Sequence, residues 1–335
     1  MTAVDGAITL GTDRWSVVQH RNQLTPAEQL AMDVRAGLGQ DPPTLPARWF
    51  YDERGSLLFD EITRLAEYYP TRRETEILRA RAAEIEARTR ATTLIELGSG
   101  TSTKTRLLLD ALTVDHAVTF VPIDVIVEVL TDAARSIAPY YPTVTVAAIA
   151  SDIYGSLGRL PGEPGHRLVA FLGGTIGNFD ADGRAALFGR IHDALSAGDH
   201  FLIGADLKKD PQRLIAAYDD GEGVTAEFNR NLIEVLRRDL DADGLSPGDF
   251  QHVARWNAAE SRIEMWLRAV RDVHAHFPTL DLDWHLRAGQ EMLTEISVKF
   301  ELPVLHRELA QRGFDVVRAW TDDAGDFSLT LAVAS

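Results

Sequence analysis

The chain contains no cysteine in its 335 residues. That excludes disulfides, thiolate metal centres and cysteine nucleophiles together, and it fits the reducing cytoplasm in which we expect the protein to act. No stretch approaches 18 continuous apolar residues, so no membrane span is expected. No run of Lys and Arg is long enough to make a basic patch. With 34 basic residues against 50 acidic ones the formal net charge is −16, and a nucleic-acid partner is not expected. The first residues, MTAVDGAITLGTDRW, lack the basic head and apolar stretch of a signal peptide. Internal repeats and low-complexity tracts are also missing. What is present is ordinary for a globular protein, 45% apolar and 25% charged residues, in a length that suits about two domains.

Residues 1–20 read as a mobile N-terminal arm. A helix opens at Thr25, with Pro26 in its first turn and Glu28 completing a capping box; Leu30, Ala31, Val34 and Leu38 give it one apolar face. The aromatic segment Trp49-Phe50-Tyr51 and a helix over Leu57–Leu65 come next. Thr71 and Glu74 suggest a second capping box, opening a helix that carries Ile77, Leu78 and Ile85. Then apolar runs at Thr93–Leu97, Val118–Ile123, Val144–Ile149, Leu168–Leu172 and Phe201–Ala205 alternate with helical stretches at Thr103–Leu112, Val125–Ile137 and Arg184–Leu195. That alternation predicts an α/β fold with an open, Rossmann-like parallel sheet. It stops after Asp206. Beyond it we expect a helix from Asp210-Pro211, a long one over Val224–Leu240, strands at Arg262–Val273 and Met292–Phe300, and a last strand, Phe327–Val333, closing the sheet. The expected domains are a sheet domain, 73–208 with 300–335, and a second, discontinuous α+β substrate domain, 21–72 with 209–299.

The strongest chemical signal is Thr93-Leu-Ile-Glu-Leu-Gly-Ser-Gly-Thr101 running into a helix. Gly98 and Gly100 allow a tight turn and a close approach of backbone to ligand. The third glycine of a dinucleotide fingerprint is missing, which argues against pyrophosphate. Glu96 organises this loop or meets a ligand amine. Asp124 ends the next strand, where a carboxylate can accept both hydroxyls of a ribose. Asp152 follows the third strand and can accept from an adenine amino group, with Ile153 against the ring. This loop–acid–acid series is the pattern of class I methyltransferases that use S-adenosylmethionine. Lys104 either pairs with the methionyl carboxylate or lies on the helix surface.

After the fourth strand, Gly173-Gly174 breaks the chain and Thr175 and Asn178 follow at the carboxyl edge, where open α/β sheets bind ligands. Asn178 offers donors and an acceptor suited to an amino acid's ammonium and carboxylate. The segments Trp49-Phe-Tyr-Asp52, Glu67-Tyr-Tyr-Pro-Thr-Arg72, Glu96 to Ser102, Phe171 to Asn178, Ala217-Tyr-Asp-Asp220, Phe228-Asn-Arg-Asn231, Arg262 to Arg268 and Glu291 to Phe300 together resemble the histidine N-alpha-methyltransferases of ergothioneine biosynthesis. The resemblance runs in order from about residue 27 to the end. It implies three methylations of L-histidine to hercynine, each consuming one S-adenosylmethionine, with no metal. A monomer acting on a small molecule is expected.

By that resemblance Gly98, Lys104, Asp124, Asp152 and Ile153 hold S-adenosylmethionine. Tyr68, Asn178 and Tyr218 hold the amino and carboxylate groups of histidine, while Glu295 and Ser297 take the imidazole and Met265 shapes the pocket wall. Tyr51 and Phe59 line the site of the reacting amine, and Gly173 and Thr175 the floor between ligand and cofactor. Tyr51, or a water beside Tyr68, receives the amine's proton; Phe59 alternatively serves only the core. The chain departs from the family pattern at Ile126, Ile153 and Val298. Tryptophan is the alternative substrate, which Glu295 with Met265 argues against. His274 and His276 alternate as metal ligands on a strand would, but without a third ligand they read as a solvent-facing pair.

Overall fold

Short β-branched runs form the strands and amphipathic stretches form the helices in a computed structural model of the chain, which describes residues 3–4, 7–20, 25–158 and 160–335. In chain order the strands are β1 Ala3–Val4, β2 Ala7–Gly11, β3 Trp15–His20, β4 Thr93–Leu97, β5 Val118–Asp124, β6 Val144–Ala150, β7 Arg167–Phe171, β8 His200–Asp206, β9 Phe250–Asn257, β10 Arg262–Ala269, β11 Val273–Phe277, β12 Leu282–Leu286, β13 Glu291–Val298, β14 Phe314–Thr321 and β15 Phe327–Ala334. Contacts among the described residues divide the chain into two units. One takes the described residues of Met1–Gln23 with Arg72–Leu207 and Phe300–Ser335; the other takes those of Leu24–Thr71 with Lys208–Lys299. No helix among the described residues is long and apolar enough to cross a membrane.

The first unit is built on one mixed sheet, ordered β1-β2-β3-β6-β5-β4-β7-β8-β15-β14 among the described residues. Its centre, β3 to β8, is parallel. Every residue of β4 and of β7 is buried, as befits parallel strands covered on both faces, which read as continuous rather than alternating apolar runs. From β4 the chain steps outward to β5 and β6 on one side, and then resumes at β7 and β8 on the other. The order therefore reverses between β4 and β7, and their carboxyl ends form the switch-point crevice of an open α/β sheet. β15 pairs antiparallel with β8 and joins the sheet, but it does not close it as expected: β14 pairs beyond it and is the edge strand on this side. A register shift between Val316 and Arg318 breaks the period-two pattern of β14, which is why sequence reading passes over it.

The expected free N-terminal arm is not what the described residues show. β3 runs parallel to β6, with Trp15 opposite Val146, and β2 pairs antiparallel with β3. Val17 is buried with Leu130 and Ala148, so an apolar contact to a distant strand anchors a stretch whose local pattern is weak. The second capping box is also corrected. The helix runs Pro70–Thr89, so Thr71 lies in its first turn, and Glu74 is fully buried instead of capping the start.

The second unit packs helices Pro26–Gly37, Glu53–Ile62 and Val224–Asp239 with an antiparallel sheet ordered β13-β10-β9 and a hairpin of β11 and β12. The Thr25 box is present: Glu28 N donates to Thr25 Oγ1, and Thr25 N donates to Glu28 Oε2 at 2.7 Å. One apolar cluster spans the unit, from Leu30 and Val34 through Phe50, Leu58, Phe228 and Leu232 to Ile263 and Leu267. His274 and His276 lie on the exposed face of β11, where the ring of His274 stacks on that of His285.

Candidate active site

At the end of β4 the backbone turns through Gly98 (φ 66°) and Gly100 (φ 48°), in the left-handed region that glycine enters without penalty. A Cβ at either position would have no atom within 4 Å, so space lies open beside the turn. Ser102 also holds a positive φ, 53°, with a side chain attached, a strain that tends to persist where function requires it. The hydroxyls of Ser99 and Ser102 are buried without a hydrogen-bond partner among the described residues. Buried polar groups normally have partners, so these two mark a place for a polar ligand. Beneath the loop, the buried carboxyl of Glu96 accepts from Thr105 Oγ1 at the start of the next helix. Burial pushes its pKa up to about 8, against the hydrogen bond from Thr105 and the charge of Lys104.

Asp124 Oδ2 accepts from Gly100 N at 2.9 Å, and Oδ1 from Ile126 N at 3.2 Å. Burial raises its pKa against the pull of those backbone donors. The acid that ends β5 thus braces the glycine turn that ends β4. Ile126 sits at the N-cap of helix Val127–Tyr140. Asp152 caps a short helix, accepting from Gly155 N at 2.6 Å, and Ile153 beside it is half-buried. Lys104 does not lie idle on the helix surface: its ammonium pairs with Glu74. Glu74 also accepts from Gly173 N, 2.9 Å from each carboxylate oxygen. Gly204 makes the room, since a Cβ there would stand 2.2 Å from Glu74 Oε1. Glu74 therefore ties the loop after β4 to the turn after β7. That turn passes through Gly173 (φ 82°) and Gly174 (φ 70°). Thr175 Oγ1 donates to Leu172 O at 3.1 Å, and Asn178, half-buried, ends the 3-10 turn.

The remaining expected residues belong to the second unit. Tyr51 and Phe59 meet edge to face at 5.4 Å, Phe59 and Tyr68 at 6.0 Å, and Tyr68 and Tyr218 at 6.3 Å. Phe228 joins them, 5.5 Å from Tyr51 and 6.0 Å from Phe59. On β13, strand alternation puts Glu295 and Ser297 on one face and Val298 on the other, and Lys299 follows directly after the strand. Tyr218 Oη lies 2.8 Å from Ser297 Oγ, and the buried ammonium of Lys299 donates to both oxygens at 2.9 Å. Burial pushes the pKa of Glu295 up to about 7, against the opposing charge of Lys299. Met265, buried, is the cross-strand partner of Glu295 on β10. His252 Nε2 donates to Tyr218 O at 2.8 Å, so its Nδ1 accepts from Asn229 Nδ2, also at 2.8 Å. Burial lowers the His252 pKa and keeps the ring neutral in this role. Thr294 Oγ1 reaches Asn229 Oδ1 at 2.7 Å.

A family model described as a histidine-specific, S-adenosylmethionine-dependent methyltransferase matches residues 30–334. The chain belongs to that family. A histidine N-alpha-methyltransferase of Mycolicibacterium smegmatis is 51% identical over 308 residues, covering 92% of this chain and 95% of that protein. One of Mycobacterium tuberculosis is 50% identical over 320 residues, covering 95% and 99%. An ergothioneine biosynthesis protein 1 of Neurospora crassa is 29% identical over 287 residues, covering 84% of this chain and 32% of its own length.

S-adenosylmethionine is the methyl donor of the histidine-specific methyltransferases, and the residues at the end of β4 fit it. The open space at Gly98 and Gly100 admits a methionyl chain, and the orphaned Ser99 and Ser102 hydroxyls suit its polar end. The expected site residues divide between the units: Glu96, Gly98, Gly100, Lys104, Asp124, Asp152, Ile153, Gly173, Thr175 and Asn178 in the first, and Tyr51, Phe59, Tyr68, Tyr218, Met265, Glu295 and Ser297 in the second. Sequence reading missed Glu74, Phe228, the Asn229–His252 pair and Lys299. Lys299 alone carried a local signal, because it has the same strand parity as Glu295 and Ser297.

Proposed function

We propose that this methyltransferase trimethylates the α-amino group of L-histidine to hercynine, the histidine step of ergothioneine biosynthesis. Bound S-adenosylmethionine supplies a methyl group on a sulfonium; binding, orientation and deprotonation of the amine fall to the protein. In this reading the loop from Gly98 to Ser102, with Lys104, Asp124, Asp152 and Ile153, holds the donor. Tyr68 and Tyr218 of the second unit hold the amino and carboxylate groups of the substrate. Glu295 accepts the imidazole N–H, beside Ser297 and Met265.

The observation that carries the reading is Glu295, a half-buried acid on the same strand face as Ser297 and opposite Met265. Such a group gains most from an N–H donor and costs most when left unpaired, on the order of 1–3 kcal/mol. That favours histidine over apolar side chains of similar size. The aromatic set of Tyr51, Phe59 and Tyr68 supports a cationic product, since each ring can stabilise a quaternary ammonium by about 0.5–2 kcal/mol. The amine must lose a proton before each attack, and Tyr51 or a water beside Tyr68 is the acceptor. Alignment supplies much of the rate, through effective molarities of roughly 10⁵ M or more.

The test is to incubate the protein with S-adenosylmethionine and, separately, each aromatic amino acid, and to read products by mass spectrometry. Three methyl groups gained on histidine alone are expected. Trimethylated tryptophan without a histidine product would overturn the role given to Glu295 and keep the methyl donor.

A further inference from the structure

The pairing of β10 with β13 slips by one residue beside Glu295. Met265 stands opposite Glu295 but Trp266 opposite Leu293, so Thr294 is an extra residue on β13. Such a bulge re-aims the side chains next to it and needs partners for the backbone groups it displaces. Side chains supply them. Trp266 O accepts from Asn229 Nδ2 at 3.1 Å, and Asn229 Oδ1 accepts from Thr294 Oγ1 at 2.7 Å. Met265 O lies 3.0 Å from the same hydroxyl. Asn229, on helix Val224–Asp239, and Thr294 are both buried.

A carbonyl can only accept, so Trp266 O fixes which end of the Asn229 amide is nitrogen. That nitrogen is also 2.8 Å from His252 Nδ1 on β9, which is therefore the bare, accepting nitrogen of the ring. His252 Nε2 carries the ring proton and donates it to a second carbonyl, Tyr218 O, at 2.8 Å. Two backbone carbonyls thus hold the imidazole as its neutral Nε2–H tautomer. A proton added at Nδ1 would point at the Asn229 N–H. Burial and the charge of Arg230 also keep the ring neutral, against the Tyr218 carbonyl and the carboxylates of Asp220 and of Asp219, 4.0 Å from Nε2. The hydrogen bonds form one chain from the backbone of Tyr218 to the bulge that aims Glu295.

We propose that His252, as the neutral Nε2–H tautomer, is a positioning residue that sets Tyr218 at a fixed separation from Glu295, so that the site measures the length of the substrate's side chain. The inference rests on the reading that Tyr218 meets the amino and carboxylate end of the substrate and Glu295 its ring. Each bond in the chain joins a different element, and each joins buried groups that lose a partner if it breaks. The two ends therefore keep one spacing. His252 acts through Tyr218 and Asn229 and needs no contact with the substrate.

The test uses the full chain with histidine and homohistidine, which has one more methylene between ring and α-carbon. kcat and KM are measured for wild type, for His252→Phe, which fills the space without either bond, and for His252→Gln, which can restore a donor and an acceptor. Binding of S-adenosylhomocysteine and circular dichroism serve as controls for folding. Wild type should prefer histidine by about 30-fold in kcat/KM, within the range that one methylene gives. In His252→Phe that preference should fall to within about threefold, with the KM for histidine raised about tenfold, and His252→Gln should recover most of it. Loss of a merely structural residue lowers the active fraction and leaves a ratio between two substrates unchanged, so an intact preference in His252→Phe overturns the proposal. Should His252→Phe fail to fold, Thr294→Val decides, since it removes one proton from the same chain: a narrowed preference supports the coupling, and an unchanged one overturns it. Ring-nitrogen NMR of the wild type, with the His252 signals assigned by their loss in His252→Gln, should show a neutral Nε2–H ring at neutral pH. An Nδ1–H tautomer or a charged ring would overturn the proposal. If histidine is not methylated, or Glu295→Ala leaves its KM unchanged, the reading of the site fails and the proposal fails with it. A Glu295-sensitive KM with no length preference in wild type refutes the role of His252 alone.

Discussion

The two units build their polar sites by different means. In the first, the elements at the sheet edge are backbone turns and acids placed at strand ends: Gly98 and Gly100 after β4, Asp124 closing β5, Asp152 after β6, Gly173 and Gly174 after β7. Each is local to its own strand–turn–helix unit. In the second, the set is a side-chain network in which Tyr218, Asn229, His252, Ser297 and Lys299 each hold another in place. In the proposed function the contrast matches two tasks. A donor common to many methyltransferases can be gripped by turn geometry at a sheet's switch point. A substrate chosen by its ring needs opposed donors and acceptors whose protonation and direction are set by neighbours.

The contrast can be broken most sharply at Glu295. Glu295→Ala should lower kcat/KM for histidine by about 100-fold and leave the affinity for S-adenosylhomocysteine within about threefold. Steady-state kinetics with parallel calorimetry checks this, and a joint loss of both would mean the two sites are not separable. A smaller effect in the opposite sense is expected at Glu74, the one carboxylate that ties Lys104 to the Gly173 turn. Glu74→Gln should weaken S-adenosylhomocysteine binding about tenfold, because an amide cannot serve both the ammonium and the backbone N–H as a carboxylate does. Unchanged affinity in a calorimetric titration would reduce Glu74 to a packing role.

Glu96 sharpens the comparison with the smallest effect on turnover. Its folded pKa is raised to about 8, so the native state keeps a proton that the unfolded chain releases near its ordinary pKa of 4.5. Stability from this group is therefore greatest at low pH and declines as pH rises from about 4.5 to 8. Glu96→Gln should remove that slope. Urea denaturation at pH 5.5 and 7.5 should show wild type losing roughly 2 kcal/mol relative to the variant, and parallel curves would show that Glu96 is ionised in the fold.

Much of the first unit's core could be read from the chain. Thr93–Leu97 is the strand its apolar run implies, and the Thr25 box is present. The reading failed where local chemistry pointed one way and a distant partner another. Thr71 and Glu74 have the spacing of a capping box, but the apolar surroundings and the Lys104 ammonium draw Glu74 inside. Residues 15–20 have a weak pattern and polar neighbours, and pairing with β2 and β6 makes a strand of them. Asp152 caps a short helix with one oxygen, and since Asp suits both a cap and a ligand, composition does not separate the two roles.

The sequence by itself determined the alternating strands and helices, the glycine turn after the first parallel strand and the acids that follow the next two. Those features depend on residue period, on φ preference and on caps, which act within a few residues of one another. Only the tertiary structure decided which charges would be buried and with whom: Glu74 with Lys104 and Gly173, and Lys299 with Tyr218 and Ser297. A buried charge is tolerable only beside a partner that compensates its lost hydration. Packing chooses that partner among residues far apart in the chain, where no local pattern records the choice.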